Sequence, residues 1–443
     1  MEPVAWRDGG ATTDGSRPMN GANTANGEQR PLRIVVAPHT LEIGGSPITA
    51  IDLAAGVRDL GHEVSIYGVP GPLEDYLAGK GLRLVPARPL KYRPAPSRIA
   101  QLTTLARRQR LDLVHAYEWP PCLDAFFGAH LLVGTRLVCT VYSMDVPPFV
   151  PRTIPLVMGT PALRDEAAAA GFGRAWLLEP PIDTQRDRPG TETGDFRAER
   201  GIAPDELLVV CTSRLALTAK LESLVEAMDA VDIVASELPV RFFVLGEGDA
   251  YETLVARADA VNRRHAREVI SLPGPVPDPR GAYAAADVVV GMGTSILRGM
   301  AFEKPVIVQG EQGFAVPFTP ETSAHFLDIG MWGLGDGTPA GERMAATLRE
   351  LLSDPALRAS LGRYGRDVVD DRFSLRRAVD RQLELYRDAM RLPVARSSRE
   401  TSRVAAKALE LEWHNHDPRR KRARALETRA RYEAARKLVE PPT

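Results

Sequence analysis

The feature that most constrains this chain is a repeated alternation of short β-branched runs with segments of helical spacing. Leu32-Arg33-Ile34-Val35-Val36-Ala37 is brief and apolar, the signature of a buried strand. A loop containing Gly44-Gly45 follows, and Pro47 opens a segment in which Ile48, Ile51, Leu53, Ala54, Val57 and Leu60 recur with helical spacing. Gly61 stops that helix, and Val64-Ser65-Ile66-Tyr67 begins the next strand. The pattern returns at Leu82–Val85, Asp112–His115 and Arg136–Val141, with a helix over Ile99–Arg110. After Pro180-Pro181 a second series starts. Strands are predicted at Leu207–Cys211, Val240–Leu245, Val269–Leu272, Val288–Val290 and Val306–Val308. Helices are predicted at Lys220–Val231, Asp249–Arg264, Arg280–Ala286 and Ser295–Phe302. Such alternation predicts an α/β fold of two doubly wound, parallel-sheet, Rossmann-like domains facing a cleft.

Composition narrows the function. The 443 residues carry 56 Lys and Arg against 57 Asp and Glu, which excludes nucleic-acid binding through bulk charge. The three cysteines, Cys122, Cys139 and Cys211, lie too far apart in sequence for a CxxC knuckle, so a reducing, cytoplasmic setting is expected. The eight histidines are scattered, and no metal site is expected. No stretch reaches the roughly 20 apolar residues of a membrane span, and the first thirty residues have no apolar run of a secretory leader. The expected divisions are a disordered tail over 1–30, an N-terminal domain over 31–183, a second domain over 184–374, a crossover helix over 375–392 and a tail over 393–443. That tail holds 13 basic and 7 acidic residues. It is read as a solvated, dispensable segment, with contact to an anionic membrane surface as the weaker alternative.

Four strand-end loops suit an anionic ligand. Gly44-Gly45-Ser46 precedes a helix whose first N–H groups lack intrahelical partners and carry partial positive charge. Ser213 to Lys220 places Arg214 on a loop and Lys220 at a helix start, where a cation opposes the helix dipole. Gly246-Glu247-Gly248-Asp249 is the third, and a plain glycine turn is the preferred reading of it. Gly291-Met292-Gly293-Thr294-Ser295 is the fourth.

These fragments occur in a recognisable order. "GGS", "SRLALTAKLESLVEAM", "VLGEGD", "SLPGPVPDPRGAYAAADVVV" and "RGMAFEKPVIV" together resemble the family-4 (retaining, group 1) glycosyltransferases of the GT-B fold, over about Leu32 to Met390. The resemblance implies sugar transfer from a nucleotide-sugar donor, with retention and without a metal or further cofactor. The acceptor it implies is a glycan, a lipid-linked molecule or a small molecule. By position, Arg214 and Lys220 would hold the donor diphosphate, Gly44, Gly45, Gly246, Thr294 and Ser295 would close around it, and Val276 and Pro277 would meet the base.

The chain also departs from the family pattern. Two glutamates of the family fall near Val290 and at Arg298 here, so both carboxylates are missing. Arg298 is expected either to pair with Glu311 or to meet the diphosphate, with Glu311 taking over a ribose contact. On the acceptor side, tyrosine stands at Tyr117 and Tyr142 where the family often has histidine, which leaves His115, Glu118, Tyr142 and Asp145 as candidates. The missing glutamates support a rival reading, a catalytically silent GT-B module that binds or scaffolds. Retention of Arg214 and Lys220 argues against it.

Overall fold

The computed structural model describes residues 30–89, 94–218, 220–417, 420 and 422. The expected tail over 1–30 lies almost entirely outside them, as does most of the 393–443 tail beyond Asp417.

From Leu32 onward the chain builds two sheets. The first contains β1 (Arg33–Ala37), β2 (Glu63–Gly68), β3 (Arg83–Pro86), β4 (Leu113–Tyr117), β5 (Arg136–Val141), β6 (Leu156–Met158) and β7 (Ala175–Leu177). Their order is β3-β2-β1-β4-β5-β6-β7, and every pairing is parallel. The second contains β8 (Leu207–Thr212), β9 (Val240–Leu245), β10 (Ile270–Gly274), β11 (Val288–Gly291), β12 (Val306–Gln309) and β13 (Ala315–Pro317). Its order is β10-β9-β8-β11-β12-β13, parallel except at the β13 edge. The central strands are buried on both faces, which is why they read as continuous apolar, Val-rich runs.

Strand order reverses between β1 and β4 in the first sheet and between β8 and β11 in the second. At such switch points the crossovers diverge and open a crevice at the strands' carboxyl ends. Three of the four loops singled out in the sequence leave from β1, β8 and β11, and the Gly246 loop leaves from β9, the neighbour of β8. The helices that matter here are α1 (Gly45–Asp59) and α2 (Pro96–Gln109) in the first domain, and α3 (Leu221–Val234) and α4 (Thr294–Ala301) in the second.

The chain then returns to its first domain. The outgoing and returning links pair, with Ile182 N–H donating to Phe373 O at 2.8 Å and Leu375 N–H donating to Ile182 O at 2.8 Å. The helix α5 (Leu375–Arg391) buries Ala378, Val379, Leu385, Tyr386 and Ala389 in the core of the first domain. It crosses α1 at Gly56, where any Cβ would overlap Val379.

The following helix, α6 (Ser398–His416), corrects the expectation of a solvated tail. Val404 and Ala408 are completely buried in a cluster with Phe126, Ala129, Val150 and Phe172. Arg403 donates to the carbonyls of Pro148 at 2.6 Å and Val150 at 2.8 Å, and Arg152 N–H donates to Glu400 at 2.6 Å. Net charge misled the reading because the docking face is made of only a few small apolar residues. We expect Val404→Ala to cost about 2 kcal/mol in denaturant unfolding, from two deleted methyls and incomplete collapse around them. A chain ended at Leu392 should melt well below the full chain, and equal melting temperatures would mean that α6 is not part of the core.

Candidate active site

The site is framed by two helix starts. Gly44, extended at φ −177°, precedes α1, and Gly293 precedes α4; neither helix start has a side-chain cap. Their first N–H groups therefore have no side-chain acceptor from a capping residue. The two helices come from different domains, yet they meet: a Cβ built on Gly45 would lie 3.2 Å from Thr294 Oγ1. Ser46 Oγ beside this contact is buried and has no hydrogen-bond partner. Ser295 spends its hydroxyl on Met292 O at 2.9 Å, which tightens the loop entering α4. The positive ends of two helix dipoles thus lie side by side.

The loop after β8 adds full charges. Arg214 is exposed and Lys220 is half-buried immediately before α3. Among the described residues neither makes a side-chain ion pair. Burial, with help from the Arg214 cation, pushes the Lys220 ammonium down to about 8, against the opposing pull of Cys211 and Glu311. Glu311 is thereby placed in the electrostatic field of Lys220. The loop itself is fastened: Leu215 N–H donates to Glu247 O at 2.8 Å, and Leu217 N–H donates to Asp249 Oδ1 at 2.8 Å. Gly246 has φ +149°, and any Cβ there would run into the Ser213 carbonyl. It serves to press the two loops together. Val276 and Pro277 follow β10 on a separate loop, Val276 half-buried against the second core and Pro277 exposed.

Arg298 does not pair with Glu311. Its Nε donates to Asp187 Oδ2 at 2.8 Å, and Asp187 is almost fully buried. Burial raises the Asp187 carboxyl, with Asp183 adding to the rise, and Arg298 opposes both. Arg366 donates to the Asp187 carbonyl at 2.8 Å, so this loop is held at two points. Asp187 was missed in the sequence because it lies in the Pro- and Gly-rich stretch read as a boundary, with no motif to mark it.

His115 is a second correction. It is buried, with Nδ1 2.7 Å from the Tyr386 hydroxyl and Nε2 2.7 Å from Thr140 Oγ1. Desolvation pushes its pKa down to about 3, so the ring is neutral and spent on joining α5 to the sheet. It cannot reach an acceptor. Glu118 sits at the carboxyl end of β4 at φ +70°, ψ 164°, a region costly for any residue with a Cβ. Its carboxylate accepts from Tyr142 N–H at 2.9 Å and Ser143 Oγ at 3.1 Å, and burial raises its pKa. Tyr142 keeps a buried hydroxyl without a partner, and Asp145 is exposed two residues beyond Ser143. Among the described residues no cluster of three His, Cys, Asp or Glu side chains is placed to hold a metal.

Comparison with known proteins agrees with this architecture. Residues 43–172 match the model described as Glycosyltransferase Family 4, and residues 206–323 match that of Glycosyl transferases group 1. The chain belongs to the GT-B glycosyltransferases. A glycosyltransferase from Rickettsia africae superposes with a TM-score of 0.67 at 16% identity, over 82% of this chain and 100% of that one. HepE of Anabaena, in complex with UDP, gives 0.62 at 18% identity, over 81% and 100%. Both likenesses concern the fold. In sequence, the chain is 26% identical over 217 residues to the putative glycosyltransferase EpsD of Bacillus subtilis, 46% of this chain and 52% of that protein. It is 25% identical over 212 residues to a GDP-mannose-dependent monoacylated α-(1-6)-phosphatidylinositol monomannoside mannosyltransferase of Corynebacterium glutamicum, 44% of this chain and 51% of that protein. The matches thus span about half the length of these curated relatives.

Two outcomes are expected. Because Lys220 titrates near 8 in the free protein, its ammonium is present below that pH and lost above it, so donor kcat/KM should fall on an alkaline limb with that midpoint. Lys220→Arg should abolish the limb and Lys220→Ala should lower the rate at every pH; an unchanged limb in Lys220→Arg would remove the residue from the site. Arg298→Ala should cost on the order of 1–3 kcal/mol of stability by stranding the Asp187 carboxylate, and Arg298→Glu should cost more. Asp187→Asn should recover part of the Arg298→Glu loss, a coupling measurable by thermal unfolding of the four proteins in the cycle.

Proposed function

We propose that the chain transfers a sugar from a nucleoside diphosphate sugar to a hydroxyl acceptor bound against the first domain. The observation that carries this is the meeting of two uncapped helix starts beside Arg214 and Lys220. When the glycosidic bond to the donor phosphate breaks, the leaving diphosphate gains negative charge. Fixed N–H groups and cations already aimed at it stabilise that charge without reorganising, which is where most of the rate acceleration arises. Thr294 and Gly45 belong to different domains, so the diphosphate is held where the domains meet and its sugar faces the first domain.

The proposal extends to finer points. Retention of configuration follows from a front-face departure in which the leaving phosphate oxygen takes the acceptor proton, and the helix starts stabilise it throughout. The groups described supply the charge stabilisation themselves, so we assign no cofactor beyond the sugar nucleotide. The acceptor contacts are assigned to Glu118, Tyr142 and Asp145 at the carboxyl ends of β4 and β5. Glu311 and the backbone of Val276 and Pro277 are assigned to the nucleoside half. The three cysteines are buried and unpaired, in keeping with work in the cytoplasm. Among the described residues no helix is long and apolar enough to cross a membrane.

The test is a thermal-shift panel of UDP-, GDP-, ADP- and dTDP-sugars, followed by product analysis with the donor that binds. A donor at one hundred times its Kd should add about 2.7 kcal/mol of stability. Lys220→Ala and Arg214→Ala should each lose on the order of 10²-fold in turnover while keeping the fold. NMR of the product anomer decides retention. If no sugar nucleotide binds, or one binds without transfer or hydrolysis, the chain is a silent module.

A further inference from the structure

A cavity lies away from this site. It encloses about 810 Å³ at the amino-terminal edge of the first sheet and is lined by Arg33, Arg58, His62, Arg83, Arg108 and Arg110. Arg33 and Arg83 open β1 and β3, and the cleft lies at the opposite, carboxyl ends of the same strands. The helices α1 and α2 end here, so Arg58 and Arg108 each face the negative end of a helix. Arg58 is further engaged, by Asp59 and the Lys80 carbonyl. Among the described residues of the lining Glu63 is the only carboxylate, and it stands 3.6 Å from Arg33. That leaves Arg83, Arg108 and Arg110 without an ion pair among the described residues.

Two further features mark the cavity. Arg110 ends α2 at φ +52°, a left-handed position that glycine fills at lower cost, so its side chain is kept there against backbone preference. His62 accepts a hydrogen bond from Leu32 N–H at Nδ1, 3.0 Å away, which leaves its proton on Nε2 as a donor. Arg387 from α5 adds its positive field to His62. Cations converging on a concave wall repel one another unless an anion joins them. Guanidinium groups spread over such a wall suit a ligand with several phosphate oxygens.

We propose that this cavity is a second anion site, separate from the donor cleft, for a ligand carrying two or more phosphate groups. The size fits a small molecule rather than a protein segment. A ligand here would contact α1 at its last turn, while the donor contacts the same helix at its first, so both ends of one rigid element would be occupied.

The experiment is titration calorimetry of the full chain with pyrophosphate, in the presence of saturating UDP to fill the cleft. Pyrophosphate should still bind under UDP, and Arg83→Gln with Arg110→Gly should weaken that binding about tenfold or more. Lys220→Ala, which impairs the cleft, should leave it unchanged. Should UDP itself fail to bind, the Lys220→Ala protein is titrated directly, which separates failure of this site from failure of the donor assignment. Circular dichroism checks that the double variant folds, and Arg110→Gly alone relieves backbone strain. Flotation with cardiolipin vesicles, whose headgroup carries two phosphates, and phosphatidylcholine vesicles separates the sources of phosphate. Binding only to cardiolipin, lost in the double variant, would assign the phosphates to a lipid headgroup. Absence of both pyrophosphate and vesicle binding, or binding that the double variant leaves intact, overturns the proposal.

Discussion

Two helix starts that point at each other across a domain boundary pose an electrostatic problem that the rest of this structure answers. Each carries a partial positive charge and unsatisfied N–H groups, and the pair would repel in isolation. Glycine at Gly45 lets the α1 backbone come within van der Waals contact of Thr294. The tight packing of the Ser213 and Gly246 loops holds the cationic loop beside them. A half-buried ammonium at Lys220 adds a full positive charge to this arrangement. The site we propose for the donor diphosphate is thus organised around concentrated positive charge.

Much of this was legible in the chain. Arg136–Val141 and Val240–Leu245 occur as predicted because uninterrupted Val-rich strands admit few other readings once glycine-ended helices flank them. The short strands β6, β7 and β13 escaped, since three residues carry no periodicity. The four loops were found because glycines and cations cluster at strand ends. What the sequence did not reveal were partners fixed by tertiary proximity. Arg298 lies 111 positions from the Asp187 it binds, and no local pattern links them. His115 looked like a cleft residue because it ends a strand motif, yet alternation along β4 turns it to Tyr386, 271 positions away. The apolar face of α6 was hidden by the charges around Val404 and Ala408.

The polar side chains that tie α5 down show how the returning helix became part of the first domain. Tyr386 meets His115, and Gln382 accepts from the Tyr117 hydroxyl at 3.0 Å, both inside the core. Buried polar pairs of this kind fix one docking geometry, because any other would strand their donors. The helix is therefore seated in one register against α1 as well, where Gly56 admits Val379.

This seating bears on how the two domains can move. The outgoing link at Ile182 and the returning link at Ser374 run side by side and are hydrogen-bonded to each other. A body attached through two well-separated tethers can only shear or stretch. A body attached through two strands bound edge to edge keeps one soft degree of freedom, rotation about the line they share. Opening of the space between the domains then reduces to one angular coordinate, and the Gly45–Thr294 contact, which spans the two domains, is a place where such a rotation is converted into a change of distance.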